Sequence, residues 1–299
     1  MEFDILKKCM LCPRNCGVDR YKTFGACGAD YRLKIAHYSV HMWEEPIISG
    51  RNGSGTIFFS NCNLKCIFCQ NKKISTDGYG KYVSDERFKN MCLELQGLGA
   101  TNINLVTPTH YVPQIVNVLQ NIKGNELKIP IVYNTSSYEN VDTIKLLNNI
   151  VDIYLADLKY FDDDLGEKFS NCKNYFKYAT RAIWEMYEQV GDIIIGEDGL
   201  LKKGLVVRVL VLPGHIDDSK KIIKYLYDKY KNKIFISIMN QYTPINKCLK
   251  YKELNRCVTD NEYNDVINYA CDIGVYNAFI QEGGTQLDSF IPDFDCSNI

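Results

Sequence analysis

The sequence predicts an α/β fold, a partial (β/α)6 barrel with a small Cys-rich extension at its N-terminus. Two observations carry that prediction. From about residue 54 onward, short apolar runs alternate with segments of helical periodicity, and the count of six strands falls short of the eight units of a full barrel. Residues 1–45 break this pattern, placing Cys9, Cys12, Cys16 and Cys27 among Gly and Arg with little apolar periodicity. The expected division is therefore a metal-binding extension over 1–45 and a barrel over 46–299.

The elements follow in order. Leu33–Val40 reads as a lead-in strand, and Thr56-Ile57-Phe58-Phe59 as a short buried strand. Phe88, Met91, Cys92, Leu95 and Leu98 recur at spacings of three and four behind Ser84, a residue type that caps helix N-termini. Asn102–Val106 is the next strand, and Ile115, Val116, Leu119 and Ile122 mark the next helix. Ile129–Tyr133, Val151–Leu155, Leu205–Leu212 and Ile234–Met239 are further strands. Strands alternating with helices require a parallel sheet, and sites in such folds gather at the C-terminal strand ends. Within 164–204, Trp184, Tyr187 and Val190 give a helical signal and Asp198-Gly199 suggests a hairpin turn.

Composition bounds the function. The chain has 299 residues, 46% hydrophobic and 24% charged, enough for a sizeable core. A net charge of −1 gives no global positive field, which argues against nucleic acid or an anionic membrane as partner. No run approaches the roughly 20 apolar residues of a membrane span, and the acidic start Met1-Glu2-Phe3-Asp4 is unlike a signal peptide, so a cytoplasmic location is expected. In that reducing compartment thirteen cysteines are not expected to form structural disulfides. Seven lie between Cys9 and Cys69 in two groups, which suggests metal; six are scattered singly, which suggests core packing.

Ser60-Asn61-Cys62-Asn63-Leu64-Lys65-Cys66-Ile67-Phe68-Cys69-Gln70-Asn71 is the most informative stretch. It supplies three thiols spaced C-x3-C-x2-C, one fewer than a [4Fe–4S] cluster takes when fully ligated. Cys62, Cys66 and Cys69 would thus leave one iron open to a small molecule. The competing readings are three buried cysteines on one helix face, or a zinc site. The neighbouring asparagines favour a loop over a helix interior.

This segment, with Phe68 before its last cysteine, resembles the signature of radical S-adenosylmethionine (SAM) enzymes. Cys12-Pro13-Arg14-Asn15-Cys16-Gly17-Val18, Trp43-Glu44-Glu45-Pro46, Gly53-Ser54-Gly55-Thr56, Asn104–His110 and Val132-Tyr133-Asn134-Thr135 extend the resemblance over nearly the whole chain. They resemble the PflX-type relatives of pyruvate formate-lyase activating enzyme. The resemblance implies a radical SAM barrel with a [4Fe–4S] cluster and SAM as cofactors. Its reaction would be reductive cleavage of SAM and hydrogen-atom abstraction, with a flavodoxin or ferredoxin-type reductant and a glycyl-radical enzyme as protein substrate. The alternatives are radical modification of another peptide, a metabolite or RNA, or a non-enzymatic iron–sulfur electron-transfer protein.

Within that resemblance, Thr107 and Thr109 stand where many relatives carry a Gly-Gly-Glu turn, and could accept hydrogen bonds from the SAM ammonium or simply cap the next helix. Gly283-Gly284 lies too late in the chain to be that turn. Asn134 could bond the ribose or serve only as a turn residue at the strand end. Asp157 and Lys159 resemble the Asp-Leu-Lys that approaches SAM in activating enzymes, with an ordinary ion pair as the alternative. Arg208, flanked by apolar residues, needs an anion; the SAM carboxylate and an internal salt bridge both qualify.

Cys9-x2-Cys12-x3-Cys16-x10-Cys27 offers four soft ligands, enough to close a second site holding zinc or another Fe–S cluster, with four unliganded thiols as the alternative. Of the four histidines, His110 lies nearest the expected site, and none is assigned a catalytic role.

Overall fold

Runs rich in Ile, Val, Leu and Phe form the strands, because a strand covered on both faces needs apolar residues throughout. The computed structural model describes residues 3–245, 248, 250–281, 292, 294–296 and 299; Gly283-Gly284 lies outside the described residues. The strands are β1 (Lys34–His41), β2 (Ser54–Phe59), β3 (Lys81–Tyr82), β4 (Ile103–Val106), β5 (Ile131–Thr135), β6 (Ile153–Asp157), β7 (Ile194–Ile195), β8 (Leu201–Leu210), β9 (Phe235–Met239) and β10 (Ala278–Ile280). They form one sheet in the order β10-β9-β8-β6-β5-β4-β2-β1-β3, with β7 pairing on β8. Every neighbour from β2 to β10 along this row is parallel, while β1 runs antiparallel to β2. This is the open partial barrel expected from the alternation, with short β10 extending it by one strand.

The strand ends shift for physical reasons. Pro130 has no N–H for a ladder, so β5 starts after it and runs on into polar Asn134-Thr135. Likewise β6 continues to Asp157, which the apolar run alone does not reach. The Asp198-Gly199 turn closes a hairpin that pairs Ile195 with Leu201, and this recruits residues 201–204 into β8.

The helices are α1 (Asp4–Lys7), α2 (Pro46–Ser49), α3 (Lys72–Ser75), α4 (Asp85–Gly97), α5 (Val112–Ile122), α6 (Val141–Lys145), α7 (Asp163–Ser170), α8 (Tyr175–Val190), α9 (Ile216–Tyr230) and α10 (Asp260–Asp272). Ser84 caps α4 by accepting from the Arg87 N–H at 3.1 Å, and Trp184, Tyr187 and Val190 lie in α8. Outward strand residues such as Leu105, Tyr133, Ala156, Val207 and Ile236 share the main core with the longer helices. The alternate residues face inward. Val132, Ile153, Leu155 and Val206 line the lower part of that inner face, and Asn134, Asp157 and Arg208 follow on the same alternation.

Gly55 shows how tightly β2 packs. A Cβ there would lie 2.8 Å from the Asn102 carbonyl oxygen and 3.1 Å from Leu95 Cβ. Gly55→Ala should therefore destabilise the fold by about 1–3 kcal/mol through overpacking. Urea titration of the variant should show a lowered midpoint, and an unchanged midpoint would mean the strand moves freely.

Candidate functional site

The loop 60–71 leaves β2 at its C-terminal end and carries Cys62, Cys66 and Cys69. It is tied down along its length: Asn61 N–H bonds the Ile74 carbonyl (2.8 Å), Lys65 N–H the Ser170 carbonyl (3.2 Å) and Ile67 N–H the Phe169 carbonyl (2.8 Å). The loop thus rests on the end of α7 rather than continuing as a helix. Each cysteine sulfur has a polar neighbour from a different place. The Leu64 N–H donates to Cys62 at 3.4 Å, the Ser170 hydroxyl donates to Cys66 at 2.9 Å, and Ser75 Oγ lies 3.2 Å from Cys69. Burial pushes the Cys66 thiol up to about 11, against the opposing pull of Lys159, and burial with its two cysteine neighbours drives Cys62 higher still. Metal binding must therefore displace protons from these thiols.

The three cysteines open on a cavity of about 470 Å³, within the roughly 300–1,000 Å³ of pockets that enclose drug-sized ligands. Thr107, Asn134, Asp157, Lys159 and Arg208 line it too. The parallel register sets Asp157 directly beside Arg208 on adjacent strands. Arg208 Nε donates to Asp157 Oδ1 (2.7 Å), Nη2 to Asn134 Oδ1 (2.8 Å) and Nη1 to Glu44 Oε1 (3.2 Å), and Lys159 Nζ bonds Asp157 Oδ2 (2.7 Å). Burial opposes the charge of Asp157, yet Arg208 and Lys159 hold its pKa below the ordinary value. The internal ion pairs considered as alternatives for Arg208 and Lys159 are therefore formed, and both side chains still face the cavity.

Thr109 is not among the cavity-lining residues. It is buried, and its hydroxyl donates to Glu139 Oε1 at 2.6 Å. His110 is also buried, with Nε2 2.8 Å from the Ser60 carbonyl; burial, assisted by Arg20, lowers its pKa to about 3, so it is neutral. The N-terminal cysteines lie on a segment with its own small core of Leu6, Cys9 and Leu11. Among the described residues no three His, Cys, Asp or Glu side chains stand ready-grouped as a metal site, so either cysteine set would tighten around its metal on loading.

Sequence reasoning passed over several polar residues. Glu44 reaches Arg208, Asn104 (2.7 Å) and Asn134 (3.2 Å) from the segment after β1. Two acidic residues between Trp43 and Pro46 were the available signal. Ser75 and Ser170 gave none, since neither is near the cysteines they touch in a way that spacing reveals. Glu139 accepts from Thr109, Thr135 (2.6 Å) and Tyr133 (3.1 Å) through one oxygen, while the other oxygen has no partner among the described residues.

The chain matches the radical SAM superfamily over residues 56–244 and belongs to that superfamily. Membership implies a [4Fe–4S] cluster and SAM as cofactors, and the donor set fits them: three thiols on one loop, beside a cavity with both acidic and basic groups. The chain is 31% identical over 280 residues to an uncharacterized protein of Methanocaldococcus jannaschii, covering 89% of this chain and 75% of that one. Its fold is similar to Streptococcus suis SuiB bound to the precursor peptide SuiA, with a TM-score of 0.50 and 15% identity over 74% of this chain and 46% of SuiB. SuiB bound to SAM gives a TM-score of 0.50 and 14% identity over 75% and 48%. The chain thus spans about half the length of SuiB.

Arg208→Ala would leave Asp157 and Glu44 facing each other without their shared cation. Stability should fall by about 3 kcal/mol, the low end for breaking a buried pair, because the side chains keep about 15% exposure. Chemical denaturation measures this, and a loss under 1 kcal/mol would show that cavity water screens the pair.

Burial raises the Glu139 pKa to about 7, despite three hydroxyl donors. Its folded pKa thus exceeds the ordinary carboxyl value near 4.3, so its contribution is full below that value and lost as pH rises through about 7. The wild type should lose roughly 3 kcal/mol relative to Glu139→Gln between pH 4.5 and 7.5. Parallel urea midpoints for the two proteins across that range would refute a neutral buried carboxyl.

Proposed function

We propose that this protein is a radical SAM enzyme of the activating-enzyme type, which cleaves SAM reductively and abstracts a hydrogen atom from a protein partner. The observation that carries the reading is the placement of Cys62, Cys66 and Cys69 on one loop at the C-terminal strand ends, open to a cavity lined by Asp157, Lys159 and Arg208. When bound, the cluster and SAM supply one-electron cleavage of a carbon–sulfur bond and a carbon radical that removes hydrogen.

The chain's own residues have separate tasks. Cys62, Cys66 and Cys69 would hold the cluster, and the donors from Leu64 and Ser170 would stabilise the charged sulfurs. Lys159 and the free N–H groups of Arg208 would meet the SAM carboxylate, while Asp157 and Glu44 fix where those cations stand. Thr107 and Asn134 add polar contacts at the strand ends, and Phe58, Val106 and Leu210 add apolar lining.

The PflX-type motifs support a glycyl-radical enzyme as substrate, a flavodoxin or ferredoxin-type protein as reductant and the cytoplasm as location. No helix among the described residues is long and apolar enough to cross a membrane. The N-terminal cysteines would hold zinc or a second Fe–S cluster.

Anaerobically reconstituted protein given SAM and dithionite should release 5′-deoxyadenosine. Replacing Cys62, Cys66 or Cys69 by Ala should abolish both the cluster absorbance and this release; a variant that retained full release would sink the assignment. Adding a glycyl-radical enzyme should produce a glycine-centred radical by electron paramagnetic resonance. Release without that radical would transfer the substrate to another peptide, a metabolite or RNA.

A further inference from the structure

The N-terminal cysteines are built into the support of the loop that carries Cys62. Cys62 lies between Asn61 and Asn63, and the extension touches both neighbours. Arg14, between Cys12 and Cys16, donates from Nε to the Asn63 carbonyl at 2.8 Å, with its guanidinium 5.5 Å from the Tyr138 ring centroid. Tyr138 in turn accepts from the Asn63 side chain at 2.6 Å. On the other side Gly28, next to Cys27, packs so closely that a Cβ there would lie 3.1 Å from Asn61 Oδ1. Fully buried Arg20 donates to the carbonyls of Asp30 and His110, and the His110 ring meets the Ser60 carbonyl.

Within the extension, backbone pairing and packing draw three of the four cysteines together. Cys9 and Val18 pair through the Cys9 N–H (2.9 Å), and the Gly17 N–H returns to the Cys9 carbonyl (3.0 Å), which brings Cys16 beside Cys9. The sulfurs of Cys16 and Cys27 both crowd Gly25, 3.8 and 3.2 Å from where its Cβ would stand.

Charge points the same way. Among the described residues neither half-buried Arg14 nor fully buried Arg20 has a carboxylate ion-pair partner, and an uncompensated guanidinium costs more the more deeply it is buried. Four thiolates around one divalent ion carry a net charge of −2, which would balance the two arginines. The segment's own core is only Leu6, Cys9 and Leu11, the rest of its order coming from contacts with the barrel, so a bound metal would add an internal staple.

We propose that Cys9, Cys12, Cys16 and Cys27 bind one zinc ion as a closed tetrathiolate site, and that this site fixes the cluster loop through Arg14 and Arg20. The metal half stands alone; the support of the cluster rests on the radical SAM reading. Arg14 and Arg20 are positioning residues, acting on Cys62 through its neighbours.

Elemental analysis of the anaerobically purified full chain should give about one zinc per chain. A Cys62→Ala, Cys66→Ala, Cys69→Ala triple variant should keep that zinc, which places it at the N-terminal cysteines. Cys12→Ser with Cys16→Ser should lose the zinc and also bind less iron. Arg14→Ala leaves all seven cysteines in place, so it should keep zinc while its cluster loses iron to a chelator at least fivefold faster, with Arg14→Lys partly restoring retention. Wild-type protein without zinc, with extra iron in its place or with the four cysteines in disulfides, would overturn the metal assignment. An unchanged rate of iron loss in Arg14→Ala would overturn the coupling. Failure to release 5′-deoxyadenosine from a zinc-loaded, cluster-loaded wild type would count against the radical SAM reading alone.

Discussion

A guanidinium placed inside a barrel must be neutralised, and much of the polar architecture of this protein follows from that need at Arg208. The position is forced: Arg208 lies on a strand whose neighbours are apolar, and strand alternation turns it toward the cavity. Parallel pairing puts Asp157 beside it, and Asn134 comes from the next strand but one. Glu44 completes the set from outside the strands, which gives the segment between β1 and β2 a reason to cross the inner face. Remove the cation and three elements lose the group on which they converge.

That arrangement changes how the cavity can bind. Asp157 uses both oxygens on Lys159 and Arg208, so it is poorly placed to serve as a free acceptor. Arg208 keeps one N–H on each terminal nitrogen beyond those already engaged, and Lys159 keeps two of its three donors. The cavity therefore presents cationic donors whose positions are set by half-buried acids. Preorganisation of this kind lowers the ordering cost when an anionic group enters.

The parallel sheet was legible because six apolar runs alternate with helical periodicity, and periodicity needs no tertiary information. The cysteine loop was legible because its three thiols lie close in sequence. Strand ends were harder, since β5 and β6 continue into Asn134-Thr135 and Asp157, where polarity serves the cavity rather than the core. Glu44, Glu139, Ser75 and Ser170 were missed for a shared reason. Each becomes meaningful only through a partner on another element, and a single sequence does not record which distant residues meet. Thr109 illustrates the converse: its sequence position is beside the site, but a hydrogen bond to Glu139 turns its hydroxyl into the core.

The two cysteine groups differ in what surrounds them, and that difference bears on their chemistry. The loop of Cys62, Cys66 and Cys69 is held from behind, by α7 on one side and by the extension on the other, while its remaining side opens on the cavity. A three-thiol centre with one open direction can present a metal to a ligand. The N-terminal group brings four thiols from a segment that bonds back on itself, with Arg14 reaching the neighbouring loop at Asn63 and Arg20 the carbonyls of Asp30 and His110. If those four thiols close a metal site as proposed, they leave no ligand position for substrate, and the site would serve to hold the neighbouring loop in place. In that proposal the supporting thiols come first in sequence, and the loop they would brace follows directly after the first parallel strand.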